Sequence, residues 1–165
     1  MNLPFSYRQT ALLIALLPAG LLGFGYYLQY AEGLEPCPLC MTQRICFYLV
    51  GLFVLLSVIK HRSQLWQRIS NGLAMLSAIT GMLVAGRQLW LQSLPPDQVP
   101  ACGPDLAYML KTFPLLEAVS IMFKGNGNCA EVDWTLLGLS IAGWAFICFT
   151  ALLLLTTLQA LRRVR

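Results

Sequence analysis

The chain has 165 residues, about the size of one domain, with 58% hydrophobic residues, 11% charged residues and a net charge of +4. An average soluble domain has about 45–50% apolar and about 25% charged residues, so this chain has too few charges to cover a soluble surface. The composition, with a mean hydropathy of +0.67, also excludes a disordered chain. Long apolar stretches separate the basic residues, which excludes a nucleic-acid partner.

Four uncharged stretches predict four membrane-spanning helices. They contain 23, 15, 18 and 28 residues and lie between Arg8 and Glu32, Arg44 and Lys60, Arg68 and Arg87, and Asp133 and Arg162. A helix needs about 20 residues to cross the hydrocarbon core. The second stretch must therefore extend back through Arg44 toward Leu39, which places Arg44 at the membrane edge. The expected spans of this single all-α membrane domain (1–165) are about 10–30, 40–59, 69–89 and 134–160.

The first stretch could be a membrane span or a cleaved signal peptide, since Arg8 precedes an apolar run. Its 23 residues end in Tyr26, Tyr27 and Tyr30 and contain no A-x-A cleavage pattern, which favours an uncleaved span. Tyrosines near a span end are typical of the aromatic belt at a membrane surface.

The distribution of charge predicts the orientation. The N-terminus, the connection between spans two and three, and the C-terminus hold seven basic and no acidic residues. All seven acidic residues lie in the other two connections. The positive-inside rule therefore places both termini in the cytoplasm. A short loop (about 31–39) and a long loop (about 92–133) then lie outside, and Pro114 in the long loop begins a short amphipathic helix expected to lie on the membrane.

Four of the six cysteines fall in these outer loops, Cys37 and Cys40 in the short one and Cys102 and Cys129 in the long one. Disulfides persist on the oxidising side of a membrane. Four cysteines allow three pairings, and the natural one joins the two cysteines of each loop. The Cys102–Cys129 pair is then either a structural staple or part of an electron relay by thiol–disulfide exchange with the other pair.

The remaining cysteines, Cys46 and Cys148, lie inside spans and are expected to be packed core thiols. His61, in the basic connection, is expected to be solvated. No metal site is expected, because a structural zinc site needs a second C-x-x-C pair or a Cys/His cluster.

Cys37-Pro38-Leu39-Cys40 has the C-x-x-C redox spacing. Pro38 suits the first position of a helix, so Cys40 lies in the first turn, where free N–H groups and the helix dipole favour a thiolate. Arg44 follows four residues later on the same helix face. It either meets an anion there, such as the Cys40 thiolate or the oxygen of an electron acceptor, or it extends to lipid headgroups.

The order of these features resembles the disulfide bond formation protein B family, the quinone-dependent thiol oxidases of the bacterial inner membrane. The resemblance covers almost the whole chain. Its most specific parts are the segment from Cys37 to Arg44, then Cys102, then Asn128-Cys129-Ala130-Glu131.

This resemblance implies a monomeric four-helix bundle in the inner membrane, with the redox loops in the periplasm. A periplasmic DsbA-like thioredoxin-fold protein would give its electrons to Cys102–Cys129, and Cys129 would pass them to Cys37. The released Cys40 would reduce a membrane quinone, either ubiquinone or menaquinone. Arg44 matches the arginine that the family associates with quinone binding.

One position departs from the family pattern. Some members have a histidine near the outer end of span three, and the matching position here is assigned to Gln88. An amide can donate a hydrogen bond to the quinone but cannot carry a proton. The neighbouring Arg87 is a second candidate for holding the quinone, although it can equally extend to headgroups.

Two other functions are compatible with parts of the pattern. A vitamin K epoxide reductase-like protein also has four core spans and two cysteine pairs, but there the loop pair precedes the C-x-x-C, the reverse of the order here. A non-enzymatic membrane scaffold would hold two structural disulfides, which resist reduction by a dithiol protein, whereas relay disulfides exchange readily.

Overall fold

The structure, a computed structural model, describes residues 6–59, 63–95, 97–101, 114, 120, 123, 125 and 127–161. These residues form four long helices, α1 (Tyr7–Ala31), α2 (Pro38–Ile59), α3 (Gln64–Gln92) and α4 (Ile141–Leu161). A 3-10 turn, Gly127–Cys129, and an antiparallel hairpin of β1 (Thr135–Leu136) and β2 (Leu139–Ser140) precede α4.

Local signals account for the helix starts. A capping box begins α1, because the Ser6 hydroxyl accepts a hydrogen bond from the Gln9 N–H while the Gln9 side-chain oxygen accepts one from the Ser6 N–H. The Ser63 hydroxyl accepts the Trp66 N–H at the start of α3. Pro38 occupies the first position of α2, where the N–H that it lacks has no helical partner anyway.

All four helices are long and apolar enough to cross a membrane, which confirms the predicted all-α membrane bundle. The expected spans 10–30, 40–59 and 69–89 lie within α1, α2 and α3. Between 33% and 44% of the residues in each apolar segment are buried inside the bundle, and large apolar side chains cover its outer surface. Most of the predicted helix after Pro114, as well as His61, lies outside the described residues.

The fourth helix begins at Ile141 rather than near Trp134. The residues between form the hairpin, whose two-residue turn, Leu137-Gly138, has φ values of 54° and 79°. Positive φ at both positions is the type I′ geometry that suits the twist of paired strands. Hydropathy could not separate this hairpin from the span, because its strand residues are nearly as apolar as those of the helix.

The core joins three helices around one aromatic stack. The rings of Phe47 in α2 and Phe149 in α4 lie 3.9 Å apart and are inclined by 7°. Gly81 of α3 faces the fully buried Phe149, and a Cβ at this glycine would lie 2.3 Å from the ring carbons. The absence of a side chain at Gly81 is therefore what allows α3 to approach the stack.

We expect Gly81→Ala to lower the free energy of unfolding by about 1–3 kcal/mol, because the added methyl group must displace a packed ring. Gly72→Ala in the same helix is the matched control, since nothing lies within 4 Å of its Cβ. That change should leave stability unchanged or raise it by about 1 kcal/mol through helix propensity. Denaturant unfolding in detergent would measure both, and equal losses in the two variants would contradict the packing argument.

A second buried cluster occupies the Cys37 end of the bundle, defined as the end where α1 and α3 finish and α2 and α4 begin. Its members are Cys37, Leu39, Val84, Leu91 and Cys129. Gly125 packs onto it with a φ of 72°, and a Cβ there would lie 2.8 Å from methyl carbons of Leu39 and Leu91. The segment that carries Cys129 is thereby held against the starts and ends of the helices.

Candidate redox site

The start of α2 positions the C-x-x-C pair. Cys37 precedes the helix and Cys40 lies in its first turn, so the two Sγ atoms are 2.9 Å apart. The Cys40 backbone N–H donates to Cys37 Sγ at 3.3 Å. The two sulfurs are therefore close enough to exchange between dithiol and disulfide, and one free helical N–H is directed at the pair.

Cys129 lies against this pair. It is fully buried in the 3-10 turn, and its thiol is hydrogen-bonded to that of Cys37. This hydrogen bond, then the one to Cys40 and then burial, raise the pKa of the Cys37 thiol well above its ordinary value. Three of the four predicted redox cysteines are thus adjacent, with Cys37 in the middle as a neutral thiol.

Cys102, the fourth predicted redox cysteine, lies outside the described residues. The residue before it is described, and the Ala101 carbonyl accepts a hydrogen bond from the Gly127 N–H at 3.2 Å. Gly127 is the first residue of the turn that ends in Cys129. This backbone hydrogen bond therefore connects the start of the long loop, at Ala101, to the turn that carries Cys129.

Gln88 of α3 packs over the sulfurs and is 3% exposed. Its Nε2 lies 3.3 Å from Cys40 Sγ and 3.5 Å from Cys37 Sγ. Its Oε1 accepts a hydrogen bond of 2.7 Å from Nε2 of Gln43, which is also buried. The amide that was expected beside a quinone thus donates to the cysteine sulfurs.

Arg44 is half-buried between α1 and α2. Its Nη1 donates to Gln29 Oε1 at 2.5 Å and its Nη2 donates to the Gly25 carbonyl at 3.0 Å. The guanidinium also lies over the Tyr26 ring, 4.8 Å from its centroid. The guanidinium packs closely on the α1 backbone, since a Cβ at Gly25 would be in van der Waals contact with Nη2 at 3.6 Å. The contacts with α1 therefore keep the Arg44 guanidinium between α1 and α2.

A cavity of about 320 Å³ opens beside these groups at the Cys37 end. Its polar wall includes Cys37, Cys40, Gln43, Arg44 and Gln88. Most of the remaining wall is apolar, from Leu21, Leu22, Phe24, Leu28, Phe47, Trp134 and Trp144 among others. The structure thus brings Cys37, Cys40 and Arg44 together at one largely apolar chamber.

Arg87 does not join this group. Its side chain is exposed and stacks on Trp90, with the guanidinium carbon 4.2 Å from the ring centroid, and it does not line the cavity. Cys46 packs in the main core and Cys148 packs against it. Both positions agree with the sequence-based expectation of core thiols.

Two functional candidates, Gln29 and Gln43, were not among the residues predicted from the sequence. Gln29 is a polar residue near the end of the first apolar stretch, and Gln43 directly precedes Arg44. Gln43 follows Cys40 by three residues, a spacing that places the two on one helix face. That spacing was the signal that could have found it.

A model of the family described as "Disulfide bond formation protein DsbB" matches residues 7–159. The chain is 50% identical over 158 residues to disulfide bond formation protein B of Saccharophagus degradans, covering 96% of this chain and 95% of that protein. The Hahella chejuensis protein of the same name is 54% identical over 136 residues, covering 81% and 82%. That of Chromobacterium violaceum is 41% identical over 165 residues, covering 100% and 99%. The family implies a disulfide-forming oxidoreductase of the membrane, and it is the disulfide bond formation protein B family to which this chain belongs.

Proposed function

We propose that the protein reoxidises a periplasmic DsbA-type thioredoxin-fold dithiol protein and passes two electrons to a membrane quinone. This activity would sustain disulfide formation in periplasmic proteins. The observation that carries the proposal is the contact of Cys129 with Cys37 at a cavity that Cys40 and Arg44 also line. A structural staple in the long loop would not require Cys129 to touch the C-x-x-C pair.

The proposed relay begins when a donor thiolate attacks Cys102 of a Cys102–Cys129 disulfide, so that Cys129 leaves as a thiolate. Cys129 then attacks Cys37 of a Cys37–Cys40 disulfide, which forms Cys37–Cys129 and releases Cys40 as a thiolate. The second donor thiol then attacks the disulfide between the donor and Cys102. The donor leaves with its own disulfide, and Cys102 is released as a thiolate. Finally, Cys102 attacks Cys129 and frees Cys37, so that the two electrons rest on the Cys37–Cys40 pair.

The geometry of the described residues suits the second of these exchanges. Attack on a disulfide needs the incoming sulfur beside the bond, and Cys129 is hydrogen-bonded to Cys37. Cys40 is the better leaving group, because it lies in the first turn of α2 with the positive end of the helix dipole. Gln88 Nε2, which lies 3.3 Å from Cys40 Sγ, would donate a hydrogen bond to the released thiolate.

The residues of the cavity fit a quinone. A volume of about 320 Å³ lies within the range of small-molecule sites, about 300–1,000 Å³. Leu21, Phe24 and Phe47 would hold an apolar ring, and Arg44 would donate to a carbonyl oxygen. When bound, a quinone accepts two electrons and two protons, which restores the Cys37–Cys40 disulfide.

We further propose that the protein is a monomer in the bacterial inner membrane, with both termini in the cytoplasm and the Cys37 end at the periplasmic face. The distribution of basic and acidic residues supports this orientation. The quinone would be ubiquinone or menaquinone. The cavity is consistent with either.

The test is donor-dependent quinone reduction by the purified full-length protein. We expect one ubiquinone molecule to be reduced for each reduced donor oxidised, followed by the ultraviolet absorbance of the quinone. Cys148→Ala, which changes a core thiol, should retain this activity, and Cys40→Ala should lose it. No quinone reduction beyond that seen without donor would overturn the proposed function.

A further inference from the structure

Two amide side chains from different helices form a chain of contacts that ends on the redox sulfurs. Gln43 of α2 donates to Gln88 of α3 at 2.7 Å, and the Nε2 of Gln88 faces Cys40 and Cys37 at 3.3 and 3.5 Å. Both glutamines are nearly inaccessible, with exposures of 4% and 3%. Buried amides hydrogen-bonded in this way have one favoured orientation.

We propose that Gln43 is a positioning residue that sets the orientation of the Gln88 amide and, through it, the reduction potential of the Cys37–Cys40 pair. The proposal deepens the proposed function, because it concerns the redox cycle of that same pair. Gln43 donates a hydrogen bond to the oxygen of Gln88. The NH₂ group at the other end of the Gln88 amide is thereby directed at the sulfurs. Reduction is then favoured, because the thiolate of the reduced pair receives a hydrogen bond.

The chemistry of a carboxamide makes this orientation matter. One end of the group donates and the other accepts, and a half-turn would direct the oxygen toward a thiolate and repel it. Gln43 reaches Gln88 with its own NH₂ group, and the only acceptor that the Gln88 carboxamide offers to this donor is its oxygen. The Gln88 oxygen lies 3.6 Å from Cys40 Sγ, farther than the nitrogen at 3.3 Å.

Gln43 acts through Gln88 rather than on the sulfurs directly. In the part of the chain that the structure describes, the hydrogen bond of its Nε2 goes to Gln88. Cys40 lies three residues before Gln43 on α2 and Cys37 lies before the helix, whereas Gln88 reaches both sulfurs from α3. Removing either amide should therefore lower the reduction potential of the Cys37–Cys40 pair. Removing both should lower it no further than removing Gln88 alone.

The test measures the equilibrium reduction potential of the Cys37–Cys40 pair in the full chain, with Cys102 and Cys129 both replaced by serine so that one pair titrates. Losing a hydrogen bond to a thiolate disfavours the reduced form of the pair. We expect Gln88→Met to shift the reduction equilibrium about tenfold toward the disulfide, a potential lower by about 30 mV. Gln43→Met, which frees the Gln88 amide to turn, should shift it about threefold, and the double variant should equal Gln88→Met.

Gln92→Met is the matched control. Gln92 lies one turn from Gln88 on α3 and lines the same cavity, but its Oε1 accepts from the Ser140 hydroxyl at 2.7 Å. The reduction potential of the Cys37–Cys40 pair in Gln92→Met should equal that of the chain with Gln92 unchanged. Gln43→Asn, which keeps an amide but is too short to reach Gln88, provides a second variant if Gln43→Met does not fold.

Additive shifts in the double variant, an unshifted potential in Gln43→Met and Gln43→Asn, or an equal shift in Gln92→Met would each overturn the proposal. The measurement uses neither the donor nor quinone. Its failure is therefore distinguishable from a failure of donor-dependent quinone reduction in the unmodified chain.

Discussion

Replacing Cys129 with serine is expected to reduce donor-dependent quinone reduction to the background rate. The variant cannot form the Cys102–Cys129 disulfide that would receive electrons, and it lacks the loop sulfur that would pass them to Cys37. Steady-state quinone reduction measures this loss. The buried thiol cluster should tolerate the change, because a hydroxyl differs little from a thiol in size, so the helical content by circular dichroism should be unchanged.

The same variant can identify the cysteine that meets the donor. A donor with a single cysteine, activated as a disulfide with thionitrobenzoate, should react with the Cys102 thiolate. The Cys102–donor bond forms and thionitrobenzoate leaves as a coloured thiolate. The adduct should persist on a non-reducing gel, since no second thiol lies at hand to resolve it. An adduct that needs Cys37 after both loop cysteines have been removed would reverse the proposed order of the relay.

Replacing Arg44 with alanine is expected to raise the KM for quinone about ten- to a hundredfold. That range follows from losing one charge-assisted hydrogen bond of about 1.5–3 kcal/mol. The KM for the donor should change less than twofold, because in the proposed relay the donor meets Cys102 of the long loop rather than the cavity. The kinetic split separates a quinone contact from a general loss of folding. Equal changes in both KM values would indicate that Arg44 only ties α1 to α2 through Gln29 and Gly25.

Arg87→Ala is the matched control for Arg44→Ala. Both residues are arginines near the Cys37 end, but the Arg87 side chain is exposed and stacks on Trp90 outside the cavity. We expect the KM for quinone to stay within about twofold, since a surface cation–π contact contributes only about 0.5–1 kcal/mol to stability. A large rise in this KM would restore Arg87 as a quinone contact.

Much of the fold followed from local sequence signals. Uncharged stretches delimit α1, α2 and α3, because no charged residue can face lipid at low cost along a span. The position of Cys40 in the first turn of α2 followed from Pro38, and the common face of Cys40 and Arg44 followed from helical periodicity. These features depend on residues close together in the chain.

What the sequence could not provide depends on how separate helices face one another. The approach of Gln29 to Arg44 and of Gln43 to Gln88 requires the register of α1 and α3 against α2, which no short pattern encodes. The sequence predicted Gln88 as a quinone contact, and this residue lines the cavity, but no sequence pattern indicated that its amide nitrogen faces the sulfurs. The contact of Cys129 with Cys37 likewise depends on a loop folding back over the helix ends.

The unequal helix lengths relate the redox site to the thickness of the lipid. With 22 and 21 residues, α2 and α4 reach about 33 and 32 Å, close to the hydrocarbon thickness of about 30 Å. At 29 residues, α3 reaches about 44 Å and must tilt or protrude. Because α2 and α4 both begin at the Cys37 end, helices of this length that cross the hydrocarbon would place Cys37 and Cys40 near its boundary with water. A thicker bilayer would draw this boundary past Cys40, and hydrophobic mismatch would then limit the access of water to the pair.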